Sequence, residues 1–311
     1  MKKVKHRDKT VINNEPFQLT DVQSVYLIGR EDDQELGGVG CHAYFEFTGH
    51  QLDVDKLNQA WYKVQMRNPM LRAILTKEGQ QYFLQEPTAK DIEVINLEKF
   101  NSEKIQLELK KYRDTISHKK RNVFEGDVAG LTVFLLPDNK MRLTFDIDLL
   151  VADILSISII IKEISRLYNG KDPDNVEDIT FEEYIENLEI DNRSIRESKA
   201  FWNNKIKNLN IKPIQLPILK NPRDVRRIKV KRHTRKLNKE RWEDIKVQAE
   251  AHHTTPSIVL LTCYMIILEK WSNQENFYVN VPLFNRKHIN KQVIILSQIL
   301  LTYYPVSYTH L

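Results

Sequence analysis

The chain has 311 residues, which is enough for one large domain or two medium ones, each with its own apolar core. With 41% hydrophobic and 29% charged residues it has the composition of a soluble globular protein, and no run reaches the roughly 18–20 apolar residues of a membrane span. The basic start MKKVKHRDKT precedes no apolar segment, which argues against a secretion signal. Cys41 and Cys263 lie in apolar surroundings, which indicates packing in a reducing cytosol rather than a disulfide. We therefore expect a cytoplasmic protein with no membrane partner.

The net charge of +5 is unevenly spread, because ten Lys or Arg residues lie between Lys220 and Lys239. Such a run is typical of a surface that binds nucleic acid. It also contains Val225, Ile228 and Val230, and it has no aromatic residue to stack on bases. A solvated strand or loop is therefore the favoured interpretation. We expect no nucleic-acid partner, and an acidic protein partner stays open.

Helix and strand signals alternate along the first half of the chain, after a lead-in over residues 1–15. The predicted elements are a short helix capped by Thr20, a strand at 39–48, a helix capped by Asp53, a hairpin at 70–84, a helix at about 102–118, a second hairpin at 131–148 and a helix from Ile154 to Tyr168. The last of these is rich in β-branched residues, but its length and the Asn169-Gly170 ending favour a helix.

The second half follows a weak boundary at 171–180 and is richer in helix signals. It is predicted to contain helices at 181–188, 193–206, 238–251 and 256–271, with an extended Pro-containing segment and the basic stretch between them, and a strand from Phe277 to Phe284. The whole pattern predicts a mixed α/β protein of two lobes without short repeats.

Two carboxylates, Asp148 and Asp153, interrupt an apolar sequence where the strand-like run 141–147 stops and a helix begins. An aspartate is costly to bury without a partner, so the pair indicates a site. Three interpretations stay open on the residues alone. The pair is an acid/base device with one shifted pKa, or a divalent-metal site with Asp146 as its one nearby extra ligand, or a structural turn in which Asp153 caps the helix.

Several stretches together identify a resemblance to a known family. FQLTDVQSVYLIGR and RNPMLR resemble the first two motifs of heterocyclization domains, a branch of the condensation domains of nonribosomal peptide synthetases. DLLVADILS resembles the branch's own motif of two aspartates and a serine, which replaces the HHxxxDG of ordinary condensation domains. IQLPILKNP, TPSIVLLTCYMIILEKWS and FYVNVPLFNR resemble the later motifs, so the similarity runs from about residue 14 to 290.

The resemblance implies an α/β fold of two chloramphenicol-acetyltransferase-like lobes in a V shape. Donor and acceptor carrier domains would present thioesters on phosphopantetheine arms beside an adjacent adenylation domain, and no cofactor or metal would be bound directly. The implied reaction joins an acyl or peptidyl group to Cys, Ser or Thr and then cyclises it with loss of water to a thiazoline or oxazoline, as in siderophore synthesis. A non-catalytic module that only docks carriers is the alternative.

The resemblance also implies roles for the aspartates. Asp153 would be a structural anchor that pairs with an arginine, for which Arg286 is the candidate. Asp148 would line the tunnel between the lobes and either position polar groups or handle a proton. Leu149 stands where ordinary condensation domains have their catalytic His, so this turn offers no imidazole.

Three further residues complete the predicted site. Asn280 and Asn285 are expected to donate hydrogen bonds to the developing oxyanion or to the amide being cyclised. Ser156 is expected to cap or pack beside the turn rather than to act as a nucleophile. The candidates for catalysis are therefore the two aspartates and the two asparagines, supported by Ser156 and the arginine of the Asn285-Arg286 motif.

The chain departs from the family at its end. We expect a first lobe at 16–180, a partial second lobe at 181–290, and a tail at 291–311 that is frameshifted or foreign. Family members continue through an Asp-Phe-Thr motif, whereas this chain reads KQVIILSQILLTYY and stops shortly afterwards. When the reading frame moves by one nucleotide, allowed codons for that stretch read TSNYIVSDFTNLL. We therefore expect the second lobe to be incomplete here.

Overall fold

A computed structural model describes residues 15–88, 91–172, 181–186, 192–208, 214–225, 228, 230–231, 233–274, 277–284 and 301–307. The chain divides into two compact units, one built mainly from Met1–Leu188 and the other mainly from Glu189–Leu283. Among the described residues no single helix is long and apolar enough to cross a bilayer, although one bent pair, Lys239–Ala251 with Pro256–Ser272, meets the criteria of length and composition.

The first unit contains most of the regular structure. Its elements are β1 (Phe17–Gln18), α1 (Asp21–Ile28), β2 (His42–His50), α2 (Val54–Arg67), β3 (Ala73–Leu75), β4 (Gln80–Phe83), β5 (Glu93–Asn96), α3 (Ser102–Ile116), β6 (Ala129–Leu136), β7 (Lys140–Asp148), α4 (Ile154–Tyr168) and α5 (Phe181–Glu186). The predicted helices and both hairpins are present, and β1 and β5 are additional strands. The first hairpin begins at Ala73 rather than at residue 70, because Pro69–Arg72 forms a 3-10 helix.

Two sheets organise these elements. The larger has the order β2-β7-β6-β5, in which β5 runs parallel to β6 and the other pairs are antiparallel. The smaller has the order β1-β4-β3. The tight turn between β6 and β7 is made by Asp138 and Asn139, whose φ angles of 60° and 55° lie in the left-handed region that Asp and Asn tolerate.

The two faces of the larger sheet differ in character, because successive side chains of a strand point to opposite sides. On one face Phe145 and Ile147 of β7 are buried in the main core, where Trp61 of α2 lies edge-on to Phe145 at 6.0 Å. On the other face α3 packs its Tyr112 edge-on to Phe134 of β6 at 4.9 Å. The even-numbered residues of β7 therefore lie on the α3 side.

The RNPMLR motif has a structural explanation in Arg72, which is fully buried. Its guanidinium donates to the carbonyl oxygens of Gln65 at 3.0 Å, Met66 at 3.1 Å and Gln85 at 3.1 Å, and also to that of Leu84. Burial lowers the pKa of Arg72 below its ordinary value. The residue ties the end of α2 to the segment that follows β4.

The first unit extends beyond the expected boundary at 180. Phe181 of α5 lies edge-on to Phe17 of β1 at a centroid distance of 6.3 Å, and Tyr184 is also buried in the main core. Helix α5 therefore packs on the first unit, whose main segment is Met1–Leu188.

The second unit is mainly helical. Its elements are α6 (Asn192–Asn208), α7 (Lys239–Ala251), α8 (Pro256–Ser272) and β8 (Tyr278–Phe284), which pairs with β9 (Leu301–Ser307) in a two-stranded sheet. Helix α8 buries Met265 and Leu268 against Phe277 but leaves other large apolar side chains exposed, among them Trp271 at 66%. Strand β9 lies in the segment 291–311, whose assignment as a tail stays a prediction.

Two sequence expectations are resolved in detail. Apart from Lys239, which begins α7, the described residues of the basic stretch form a short 3-10 turn at Pro222–Asp224 and otherwise a loop. The sequence left a strand or a loop open there, and the described part is a loop. The expectation that the cysteines pack in the interior is wrong, because both are exposed. Cys41 directly precedes a strand at the edge of the sheet, and Cys263 lies on the incompletely covered α8.

Candidate functional site

The turn between β7 and α4, residues 148–153, is here named the aspartate turn. Asp148 is the last residue of β7, and Asp153 is the N-cap of α4. The Asp153 Oδ1 atom accepts hydrogen bonds from the backbone N–H and the hydroxyl of Ser156, both at 2.7 Å. All three residues are buried. Ser156 therefore supports the turn by completing the cap of α4.

Asp148 has a cationic partner inside the first unit. Its Oδ2 atom lies 2.6 Å from Nη1 of Arg30, and the two side chains are 1% and 3% exposed. Its Oδ1 atom accepts from the backbone N–H of Leu150 at 3.0 Å. Burial raises the pKa of Asp148 above its ordinary value, and Arg30, the Leu150 amide and the nearby His42 oppose that rise without cancelling it.

A second buried acid lies on the same face of β7, two residues earlier. Asp146 accepts from Nε of Arg121 at 2.7 Å, and Arg121 also binds Asp127. Gly130, the cross-strand partner of Asp146, makes room for this guanidinium, since a Cβ there would lie 2.6 Å from Arg121 Nη2. Arg30 donates to the carbonyl of Arg121, which joins the two ion pairs into one buried network.

An uncharged contact also fixes the aspartate turn. Gln23 of α1 is fully buried, and its Nε2 donates to the carbonyl oxygen of Leu150 at 2.9 Å and to Oε1 of Gln81 at 2.9 Å. Its Oε1 closes the capping box with Thr20 at the start of the helix. Gln23 lies in α1 and Arg30 lies just after it. The first motif therefore makes two contacts with the aspartate turn, from Gln23 to Leu150 and from Arg30 to Asp148.

One imidazole borders this network. His42, the first residue of β2, lies directly opposite Asp148 in the antiparallel register. It is partly exposed, and its Nδ1 lies 3.2 Å from the carbonyl oxygen of Gly40. The aspartate turn itself lacks an imidazole, and the neighbouring strand supplies one.

The structure brings together part of the predicted site. Asp148 and Asp153 lie in the aspartate turn, Ser156 lies in the first turn of α4, and Asn280 lies on β8 of the second unit. Asn285 and Arg286 lie outside the described residues, so the expected pairing of Asp153 with Arg286 stays a prediction.

Sequence reasoning missed Arg30, Arg121, Gln23 and His42. A signal for the two arginines was present in the Asp-Ile-Asp pattern at the end of β7, because carboxylates two residues apart on a buried strand face require cations. Within the described ranges no group of three or more His, Cys, Asp or Glu side chains has a geometry that could hold a metal ion.

Comparison with known families gives one match over nearly the whole chain. Residues 16–297 match the family model described as the condensation domain. The matched range contains the aspartate turn and the residues that hold it.

Similar proteins and structures extend this result. The phenyloxazoline synthase MbtB of Mycobacterium bovis is 30% identical over 288 residues, which is 91% of this chain and 20% of that protein. The pyochelin synthetase PchE of Pseudomonas aeruginosa is 27% identical over 277 residues, or 88% of this chain and 19% of that protein. The cyclization-docking bidomain of EpoB from Sorangium cellulosum has a TM-score of 0.83 at 28% identity, over 94% of this chain and 59% of that one. The chain thus spans about a fifth of the length of these synthetases.

Proposed function

This chain belongs to the condensation-domain family, and we propose that it is part of a heterocyclization domain of a nonribosomal peptide synthetase. The proposed reaction joins a carrier-bound acyl or peptidyl thioester to carrier-bound Cys, Ser or Thr. The side chain of that residue then closes on the new amide, and loss of water gives a thiazoline or oxazoline.

The aspartate turn is the observation that carries this proposal. Asp148 and Asp153 are both buried, five residues apart, at the junction of a strand and a helix. Burial of two carboxylates is costly unless each has dedicated partners, and here each has them. The similarity to a phenyloxazoline synthase and a cyclization bidomain supports the heterocyclization branch.

The geometry suggests different roles for the two aspartates. Asp148 is held by Arg30 and by the Leu150 amide and has almost no exposed surface. We assign it to positioning of the turn, which is one of the two roles expected from the sequence. Asp153 and Ser156 fix the start of α4. Asn280 and Asn285 stay the candidates for hydrogen bonding to the developing oxyanion.

The proposed partners are the donor and acceptor carrier domains, whose phosphopantetheine arms present the two thioesters, and an adjacent adenylation domain. Membership of the condensation-domain family supports the carrier partners, while the adenylation neighbour and the cytoplasmic location stay predictions. No cofactor other than the carriers' own arms enters the proposed reaction.

The test requires the natural reading frame first. Independent sequencing of the gene across codons 285–311 is expected to show a one-nucleotide shift near residue 291 that restores an Asp-Phe-Thr motif. An uninterrupted frame that encodes SQILLTYY and then a stop codon would refute the frameshift and leave the condensation-family assignment standing.

The activity is then measured on the full-length synthetase that contains this domain. The donor carrier is loaded with an acyl group, the acceptor carrier is loaded with Cys, Ser or Thr in parallel, and the acceptor-bound product is analysed by mass spectrometry. We expect transfer of the acyl group followed by loss of one water. Amide without water loss would refute cyclisation, and absence of any amide would favour the alternative of a carrier-docking module.

A further inference from the structure

We propose that His42 is the proton-transfer group of the condensation step, acting from the strand beside the aspartate turn. This inference rests on the proposed function and assigns a residue outside the motif that identifies the branch. It is carried by the strand register, the anchoring of the ring and the charges around it.

The register places the imidazole beside the turn. His42 begins β2 directly opposite Asp148, which ends β7. Directly opposite residues of an antiparallel pair project from the same face, with Cβ atoms about 4.5–5.5 Å apart. Asp148 is fully buried whereas His42 is partly exposed. His42 is therefore a partly accessible neighbour of the buried ion pair of Arg30 and Asp148.

One hydrogen bond determines which ring nitrogen can react. Nδ1 lies 3.2 Å from the carbonyl oxygen of Gly40, and a carbonyl oxygen only accepts, so Nδ1 carries the proton in the neutral ring. Nε2 is then left with a lone pair. This anchoring resembles that of catalytic imidazoles in general, whose second nitrogen is oriented by an acceptor.

The charged and titratable groups around His42 come from four segments. They are Asp146 and Asp148 on β7, Arg30 after α1, Lys120 and Arg121 after α3, and Cys41 and Tyr44 on its own segment. Arg30 neutralises Asp148, and Arg121 neutralises Asp146. Each of these two buried carboxylates is thus paired with an arginine, whereas a neutral imidazole can accept a proton on one ring nitrogen.

The proton balance of the step fits an imidazole. The neutral α-amine of the carrier-bound acceptor attacks the donor thioester carbon, so that a C–N bond forms and the C–S bond breaks. Nε2 takes one N–H proton as the C–N bond forms and returns it to the departing thiolate. The products are one amide and one free phosphopantetheine thiol. A neutral imidazole nitrogen accepts a proton and the resulting imidazolium donates one, so a single group can serve both halves of the transfer.

The first test compares two histidines of one strand in the full-length synthetase. His42→Asn keeps an N–H that can donate to the Gly40 carbonyl but removes the base, and it is expected to slow amide formation about 100-fold or more. His50, at the opposite end of β2, is exposed and pairs with Lys140 in the register. His50→Asn is the matched control and is expected to retain the wild-type rate.

The second test separates proton transfer from a structural role. In His42→Ala, added imidazole is expected to restore amide formation in proportion to its neutral form, while the same addition leaves His50→Ala unchanged.

The outcomes distinguish this inference from the proposed function. A wild-type enzyme that forms the heterocycle, with His42→Asn within about 3-fold of its rate of amide formation, would overturn the role of His42 alone. A slow His42→Ala variant without imidazole rescue would likewise overturn proton transfer in favour of positioning. A wild-type enzyme that forms no amide would overturn the proposed function, and the role of His42 with it.

Discussion

Two ion-paired clusters lie on the same face of the four-stranded sheet, at opposite ends of β7. At the carboxyl end Asp148 and Arg30 are 1% and 3% exposed and pair at 2.6 Å. At the amino end Glu46 of β2 binds Arg113 at 2.5 Å and Arg142 at 2.7 Å, with the arginines 44% and 24% exposed. The contact distances are similar, but the surroundings differ.

The difference shows that burial, rather than contact distance, decides what an ion pair does. An exposed pair stays solvated when one partner is removed, so it contributes little to stability. A buried pair leaves an unsolvated charge behind, so its loss is costly even when its net contribution is small. The buried network therefore gives the aspartate turn one defined geometry, whereas the Glu46 cluster mainly joins α3 to the sheet.

The largest effect is expected when the buried pair is broken on one side. Arg30→Met leaves Asp148 buried without its cation and should reduce the free energy of unfolding of the first unit by about 3–5 kcal/mol. Urea-induced unfolding followed by circular dichroism measures this loss.

The double variant is the control for this prediction. Arg30→Met with Asp148→Asn removes both charges and keeps an acceptor for the Leu150 amide, so it should be more stable than Arg30→Met alone. A single variant that loses less than about 1 kcal/mol would contradict the comparison, since it would place the buried pair in the class of exposed ones.

The next effect sharpens the comparison with an uncharged contact to the same turn. Gln23→Met leaves the Leu150 carbonyl and the Gln81 amide without their partner and should cost about 1–3 kcal/mol in the free energy of unfolding. Gln80→Met, next to Gln81 on β4 but partly exposed, is the matched control and should change stability by no more than about 0.5 kcal/mol. Equal losses in the two variants would argue against a specific role for Gln23.

The two clusters should respond to pH with opposite sign. The pKa of Asp148 is raised because burial outweighs Arg30, so its contribution to stability is present below pH 3.8 and is lost as the pH rises through the folded pKa. The pKa of Glu46 is lowered overall. Burial acts to raise it, but hydrogen bonds from Arg113, Tyr44 and Arg142 outweigh the effect of burial. The contribution of Glu46 is therefore present above pH 4.5 and is lost as the pH falls through the folded pKa.

Unfolding free energies measured from pH 3 to pH 7 check this reversal. Relative to the wild type, Glu46→Gln should lose stability near neutral pH and converge with it in acid. Asp148→Asn lacks the loss that the wild type shows as the pH rises. Its stability relative to the wild type should therefore increase above pH 3.8. Parallel slopes in the two variants would show that the two carboxylates share one environment.

The smallest effect is expected at the exposed cluster. Arg113→Ala leaves Glu46 paired with Arg142 and should cost about 0.2–1 kcal/mol, less still in 1 M NaCl. Thermal unfolding at low and high salt measures this difference. A salt-independent loss of several kcal/mol would mean that the cluster behaves as a buried pair.

Local signals in the sequence predicted most of the first unit. Helix α4 has the predicted bounds because Asp153 caps its start and Asn169-Gly170 ends it, and these signals outweigh its β-branched residues. Strand β5 was missed because four residues with mostly exposed side chains carry little pattern, and its pairing with β6 supplies what the sequence lacks.

The site was less predictable than the elements that carry it. The cap of α4 by Asp153 follows from local sequence, since its partner Ser156 lies three residues away. The partner of Asp148 does not, because Arg30 lies 118 residues earlier and only the folded sheet brings the two together. Motif similarity located the turn, and tertiary structure was needed to identify what holds it.

The contacts of Gln23 and Arg30 with the aspartate turn also have a consequence for the order of folding. The contacts from Arg30 to Asp148 and from Gln23 to Leu150 close loops of 118 and 127 residues. Closure of such loops carries an entropic cost that local structure does not offset, so these contacts are expected to form late. During synthesis α1 leaves the ribosome before β7, so the polar groups of the first motif can bind the aspartate turn only after β7 has emerged. The geometry of the aspartate turn is therefore a product of the completed unit and would be absent from a peptide that contains the motif alone.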